Sequence, residues 1–403
     1  MAASESKNGV IAFLFENSVF LIAGAFGALV WANLDHDAYH HLVHLKLFED
    51  TLFGTLKADG TRVFDLHYLV NDVLMAFFFA IAGKEVWEAT LPGGPLSSPR
   101  RAAGPLVAAV GGMVAPAVLY LLGAALVGRF DDLSNGWAIP CATDIAFSYM
   151  VARIVFGAGH PAIPFLLLLA IADDAMGLLI LAAFYPQGEV QMLWMFLAVA
   201  GVGVAFLFQR LRLHSFWWYL AIPGSLSWIG FALAGLHPAL GLLPVIPAMP
   251  HHHSDRGLFD WKELEATDTL NEFEHWWQKP VELILMLFGL FNAGVLLSAV
   301  DSPTFLVLIG LLAGKPIGIW GGAMVVARGF RLGLPDGIGS RDLVVVGFAA
   351  AIGFTVALFV TTVAFPPGQI QDAAKMGALG SFVAALLTYV VARTTGIKPN
   401  PVK

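Results

Sequence analysis

Two adjacent aspartates, Asp173 and Asp174, interrupt the apolar run LAIADDAMGLLILAAFY, and a lysine, Lys315, interrupts LLAGKPIGIW. A third acid, Asp144, follows Thr143 in GWAIPCATDIAF. An ionised side chain at the centre of a bilayer costs at least about 2.5 to 3.5 kcal/mol on insertion scales, so each of these needs a partner, a water-filled cavity or a function. Adjacent carboxylates in a poorly solvated site cannot both ionise cheaply, because desolvation and like charge both favour keeping a proton. A small monovalent cation such as Na+ or Li+ entering the site favours the ionised carboxylates and expels protons, and returning protons expel the cation. That competition, with alternating exposure of one site, is sufficient for ion exchange. Neighbours on a helix point about 100° apart, so Asp174 is expected to ligate the cation and Asp173 to meet Lys315. The lysine reads either as a counter-charge that cycles with the cation or as a structural ion-pair partner.

The elements that would position these residues are membrane helices. Of the 403 residues, 58% are hydrophobic and 13% charged, against about 25% charged in a soluble domain. A helix needs roughly 20 mostly apolar residues to cross the hydrocarbon core. The apolar runs predict an all-α membrane protein of about twelve spans, at 11–33, 66–92, 102–127, 136–153, 161–185, 190–209, 216–231, 237–250, 272–297, 303–327, 341–365 and 372–393. The seventh and eighth are short and rich in Gly and Pro. At about 1.5 Å per residue, Asp173 and Asp174 lie roughly 18 Å along the fifth span, Lys315 roughly 18 Å along the tenth and Asp144 roughly 12 Å along the fourth. All four converge on one depth near the midplane.

Pro140 in the fourth span cannot donate a backbone hydrogen bond and disfavours helix at the residue before it. The eleventh span, VVVGFAAAIGFTVALFV, is weakest at Gly347 and Gly353, with Thr355 close by as a supporting residue. Broken backbone at membrane depth is tolerated only where it lines a cavity or is buried in protein. Two interrupted helices facing each other would therefore put half-helix ends at the cation site. The third to fifth spans and the tenth to twelfth run in opposite directions, each with the interrupted helix in the middle. That is an inverted repeat over about 102–185 and 303–393, an architecture of secondary transporters.

Lys and Arg favour the cytoplasmic side. With the N-terminus inside, fourteen of them (Lys7, Arg100, Arg101, Arg153, Arg210, Arg212, Arg256, Lys262, Arg328, Arg331, Arg341, Arg393, Lys398 and Lys403) fall inside and four (Lys46, Lys57, Arg62 and Arg129) outside, which places both termini in the cytoplasm. The segment 46–64, with ADGT between two alternating stretches, reads as an outer β-hairpin, and 251–271 as the longest inner loop. No second domain is expected beside this single transporter domain. The formal charge of −7 marks loops and orientation, and no basic patch suggests nucleic acid. A single cysteine, Cys141, excludes an internal disulfide or a multi-cysteine zinc cluster, and nothing calls for a cofactor. It reads as small-residue packing near the cavity. His251, His252 and His253 beside Asp255 read as a solvated tract, and His237 as a packed or interfacial histidine. Trp217, Trp218, Trp276 and Trp277 suggest an interfacial belt. Glu282 lies deep in its span without an assignable role. An intramembrane aspartyl protease lacks its GxGD run, a retinal protein would need about seven spans, and a sodium symporter would need a larger polar pocket. The residues therefore point to a carrier and not to an enzyme.

The runs NDVLMAFFFAIAGKEV, GGMVAPAVLY, GWAIPCATDIAF, LAIADDAMGLLILAAFY, FNAGVLL, LLAGKPIGIW and VVGFAAAIGFTVALFV resemble, in order and across nearly the whole chain, the NhaA-type Na+/H+ antiporters. The resemblance implies the NhaA-like fold, a bacterial inner membrane, electrogenic exchange of two protons per Na+ or Li+, and a homodimer aided by the outer hairpin. It makes Asp173 and Asp174 the paired cation and proton carriers and the transient metal ligands. Thr143 and Asp144 become the broken-helix site residues, Lys315 the essential lysine and Asp72 a structural acid. It also implies pH sensing by Glu85, Glu274 and His275. There the family's LEVKRE pattern reads KEVWEA, with Lys84 at an apolar position and Glu88 at a basic one, so exchange is expected to persist with an altered pH dependence.

Overall fold

The computed structural model describes residues 19–56, 61–157, 159–251, 268–329, 334 and 337–397. Lys7, Lys57, Arg256, Lys262, Arg331, Lys398, Lys403, His252, His253 and Asp255, the side chains of Arg100 and Arg101, and most of the expected turn ADGT lie outside them. In chain order the elements are α1 (Val19–Leu34), α2 (His36–Val43), strands β1 (Lys46–Glu49), β2 (Thr55–Leu56) and β3 (Arg62–Asp65), α3 (Leu66–Thr90), α4 (Pro99–Leu126), α5 (Phe130–Cys141), α6 (Ile145–Phe156) and α7 (Ala162–Phe184). They continue with α8 (Met192–Arg210), α9 (Phe216–Ala234), α10 (Pro238–Ala248), α11 (Thr269–Asn292), α12 (Ser302–Gly329), α13 (Ser340–Ala350), α14 (Phe354–Ala364) and α15 (Gln369–Thr395). Among the described residues seven helices are long and apolar enough to cross a membrane, and two bent pairs, α5 with α6 and α13 with α14, raise that to nine. The pairs bend by 51° and 53°. Helices α1 and α10 are shorter apolar segments. Helix α11 falls outside this set because its first half carries Glu272, Glu274 and Lys279 among apolar residues.

The chain is a membrane-embedded, multi-pass protein, and α4 shows why. Val110, Val114, Val118 and Leu122, four residues apart, are all exposed, while Ala108, Ala109, Tyr120 and Ala124 are fully buried. A soluble helix would hide that valine stripe, whereas lipid solvates it and leaves small residues to pack helix on helix. Gly111 of α4 and Gly318 of α12 are the contact itself: a Cβ on Gly111 would stand 2.2 Å from the Gly318 carbonyl oxygen, and one on Gly318 2.0 Å from that of Gly111. Side-chain-free backbone on both helices thus fixes α12 one turn from Lys315.

Two compact units divide the chain. One comprises 1–94 and 178–294. Its apolar core gathers Ala76 and Ala80 of α3, Phe216 and Tyr219 of α9, Val245 and Ile246 of α10, and Leu270 and Phe273 of α11. In this unit β1, β3 and β2 form a three-stranded antiparallel sheet in that order, with Arg62–Asp65 in the middle. The other unit comprises 95–177 and 295–403 and holds both bent pairs.

The first break falls two residues beyond Pro140, and the second falls at Gly353. Pro140 lies inside the tight 3-10 stretch Ser134–Cys141, and the chain opens only at 142–144. In the second pair the opening, 351–353, includes Gly353, one of the two expected weak points, while the other, Gly347, sits within α13. Gly347 serves close approach instead: an added Cβ would meet the Pro316 Cα at 2.5 Å.

Candidate functional site

The two openings cross and satisfy one another. The Asp144 backbone N–H donates to the Ile352 carbonyl at 2.7 Å, and the Ser148 hydroxyl donates to Ala349 at 2.9 Å. The Asp144 side chain caps α6, accepting from the Phe147 N–H through Oδ1, and its Oδ2 accepts from both the N–H and the hydroxyl of Thr355 in the first turn of α14. One buried carboxylate thus meets the positive ends of two half-helices, where a negative charge is favoured.

Thr143, one residue earlier, reaches the other way. Its hydroxyl lies 2.6 Å from Asp173 Oδ2 of α7 and 3.1 Å from the Ala350 carbonyl at the end of α13. A hydroxyl has one hydrogen to give, so it serves one of these acceptors at a time. Lys315 closes the group: Nζ donates to the Thr143 hydroxyl and, at 2.7 Å, to Asp173 Oδ2. The lysine side chain is fully buried and that of Asp173 2% exposed. Lys315 follows directly on a π-helical stretch, Gly310–Gly314, which widens the helix where the side chain must turn inward. Two donors converge on Asp173 Oδ2, while Asp173 Oδ1 is buried with no hydrogen-bond partner among the described residues. Asp174, next along α7, is half-buried. Cys141 is buried and its thiol faces the Met113 and Trp137 carbonyls, which fits packing.

Asp72 belongs to the other unit, in a π-helical stretch of α3, Leu69–Leu74. Its carboxylate accepts from Gln187 Nε2 at 3.1 Å and lies 3.6 Å from His237 Nδ1, and its backbone carbonyl accepts from Trp228. His237 is buried and caps Pro238–Leu240. The roles of Gln187, Trp228 and His237 around this acid carry no signal in sequence spacing. At the far end of α3, Lys84 sits between Glu88, 2.6 Å away, and Glu274 of α11, with Glu85 in electrostatic range of all three. His275 is exposed on α11. Trp217, Trp276 and Trp277 form a ring cluster with Phe216.

Crossed broken helices with a buried carboxylate, hydroxyl and ammonium at the crossing define a membrane ion carrier of the secondary-transporter kind. The family model "Na+/H+ antiporter 1" matches residues 13–392, and the chain belongs to that family. It is 51% identical to the Na(+)/H(+) antiporter NhaA of Jannaschia sp., over 97% of this chain and 99% of the relative, and 46% identical to that of Desulfitobacterium hafniense, over 98% of each. A solved structure of the sodium proton antiporter MjNhaP1 from Methanocaldococcus jannaschii aligns with TM-score 0.55, 12% identity and coverage of 94% of this chain and 91% of that one. At that identity the likeness concerns the fold alone.

Proposed function

We propose that this chain is an electrogenic Na+(Li+)/H+ antiporter in which cation and protons compete for Asp173 and Asp174 at a site exposed alternately to the two sides. The observation that carries the reading is the division of Asp173: one oxygen held by Lys315 and Thr143, the other buried without a hydrogen bond among the described residues. An unmade hydrogen bond on a buried carboxylate oxygen is costly, and a proton or a small hard cation relieves it. When a cation draws Asp173 away, the Thr143 hydroxyl turns to the Ala350 carbonyl, so no donor is stranded. Asp174 supplies the second carboxylate, and Asp144 holds the half-helix ends in register. Two carboxyl protons leaving for each monovalent cation move net charge and couple the cycle to voltage.

The same reading takes twelve spans, inverted repeats over about 102–185 and 303–393, and a periplasmic strand region at 46–64. It also takes a homodimer in lipid in the bacterial inner membrane with both termini cytoplasmic. Regulation by pH acts through Glu85, Glu274 and His275, with Lys84 tying two of the neighbouring carboxylates. The test is acidification of everted vesicles followed by Na+ addition. Na+ releases protons from wild-type vesicles somewhere between about pH 6.5 and 9, a range that brackets buried carboxylates, and Asp174→Asn abolishes the release. No release from wild type at any pH in that range sinks the proposal.

A further inference from the structure

Away from the aspartate site, α2 and the residue that caps it carry histidine at every fourth position: His36, His40 and His44. Residues four apart share one helical face, and the rings form a row, with centroids 6.1 Å apart for His36 and His40 and 4.4 Å apart for His40 and His44. His67 extends it at 5.6 Å from His44. His36 and His40 are exposed, so hiding ring surface from solvent does not account for the row. Two histidines at i and i+4 are the arrangement by which a helix offers two imidazoles to one metal ion. Imidazole suits borderline ions such as Zn2+, Ni2+ and Cu2+ and not the hard alkali ions of the transport site.

The neighbours sort these rings into ligands and bystanders. Asp65 is buried, and its Oδ1 is fixed by the Tyr68 N–H at 2.8 Å while Oδ2 lies 3.4 Å from His44 Nδ1. An ionised carboxylate only accepts, so Nδ1 carries the ring hydrogen and Nε2 is the nitrogen left to face a metal. A carboxylate behind a histidine is the device that orients metal-binding imidazoles and raises their basicity. His67 is arranged the opposite way. Its Nε2 lies 2.9 Å from the Asn71 amide nitrogen, a donor that occupies that lone pair. Among the described residues no three His, Cys, Asp or Glu side chains form a ready-made metal cage, which leaves an open site of two imidazoles completed by water. We infer that His40 and His44, oriented by Asp65, form a surface site for a divalent transition-metal ion.

The full chain, purified in detergent, stripped by a chelator and dialysed against Zn2+ alone, retains about one zinc, as a two-imidazole site predicts. The double variant H40A/H44A loses it, and H40Q/H44Q repeats the loss with more side-chain volume kept. Zinc raises the melting temperature of the wild type and not of either double variant, because a ligand of the folded state alone stabilises it. Asp65→Asn weakens zinc binding by about 10-fold or more; an unchanged affinity there would overturn the orienting role of Asp65. Sodium-dependent proton release by the double variants reports that they are folded. Zinc retained in full by H40A/H44A, or lost only when His251, His252 and His253 are replaced, overturns the site.

Discussion

Lys315 and Lys84 are both buried within apolar helices, yet they meet acids on different terms. Lys315 touches one carboxylate oxygen and one hydroxyl, each on a different element, and its acid keeps a second oxygen without a hydrogen bond among the described residues. Lys84 lies between two carboxylates, Glu88 four residues on in its own helix and Glu274 on α11. One positive charge against one acid with a spare oxygen is a pair that another cation or a proton can complete. One positive charge between two acids is held from both sides. On the proposed function, the difference separates a site that exchanges from one that holds.

Removing the lysines tests that difference, and the larger effect belongs to Lys315. Lys315→Ala leaves Asp173 buried and uncompensated, a change that costs about 3 to 5 kcal/mol for a buried pair, with only the Thr143 hydroxyl still donating to it. Thermal unfolding in detergent reads the loss as a large drop in melting temperature. An unchanged melting temperature would make Lys315 a bystander and dissolve the contrast.

Lys84→Met is expected to cost less, about 2 kcal/mol, below the range for fully buried pairs, because of its two acids only Glu88 is fully buried, while the Glu274 side chain is 21% exposed and can turn to solvent. Glu274→Gln sharpens the comparison by removing the contact to α11 while keeping the i,i+4 pair with Glu88. If Lys84→Met destabilised as much as Lys315→Ala, the two clusters would be equivalent and exposure would not be what distinguishes them.

The sequence made the chemistry legible where a polar residue stands out against an apolar run. Helical rise converts position into depth, so Asp173 and Lys315 could be placed at one level. The 100° step between neighbours gives Asp173 and Asp174 different partners, and only the packing shows that Asp173 meets the lysine. Local rules fail where the outcome depends on a distant strand of chain. The opening after Cys141 is set by its crossing with the opening before Phe354, through Asp144 and Thr355, which are 211 positions apart. A proline two residues before that opening marked the neighbourhood but not the residue. His237 and Gln187 reach Asp72 from loops with no pattern of their own. Glu274 and His275 are adjacent letters, and only the packing of α11 decides that the first meets Lys84 and the second faces outward.

Asp65 is a third way of keeping an acid, held by hydrogen-bond donors. Burial pushes its carboxyl up, but the hydrogen bonds from His44 and the Tyr68 N–H, with His67 nearby, outweigh it and hold the carboxyl below its ordinary value. An acid whose folded-state value lies below its unfolded value near ~3.9 binds protons more readily when unfolded. Its contribution is therefore fully present above about pH 4 and is lost as the pH falls through the lower folded value. Asp65→Asn keeps a capping oxygen for Tyr68 and removes the charge. The variant should be less stable than the wild type by about 1 kcal/mol at neutral pH, the scale of one hydrogen bond. The two should converge on acidification below about pH 4. Melting temperatures from pH 3 to 7 measure the gap, a window set by the same carboxylate values. A gap that stayed constant across that window would mean that the Asp65 charge contributes nothing and that His44 and Tyr68 hold the acid by shape alone.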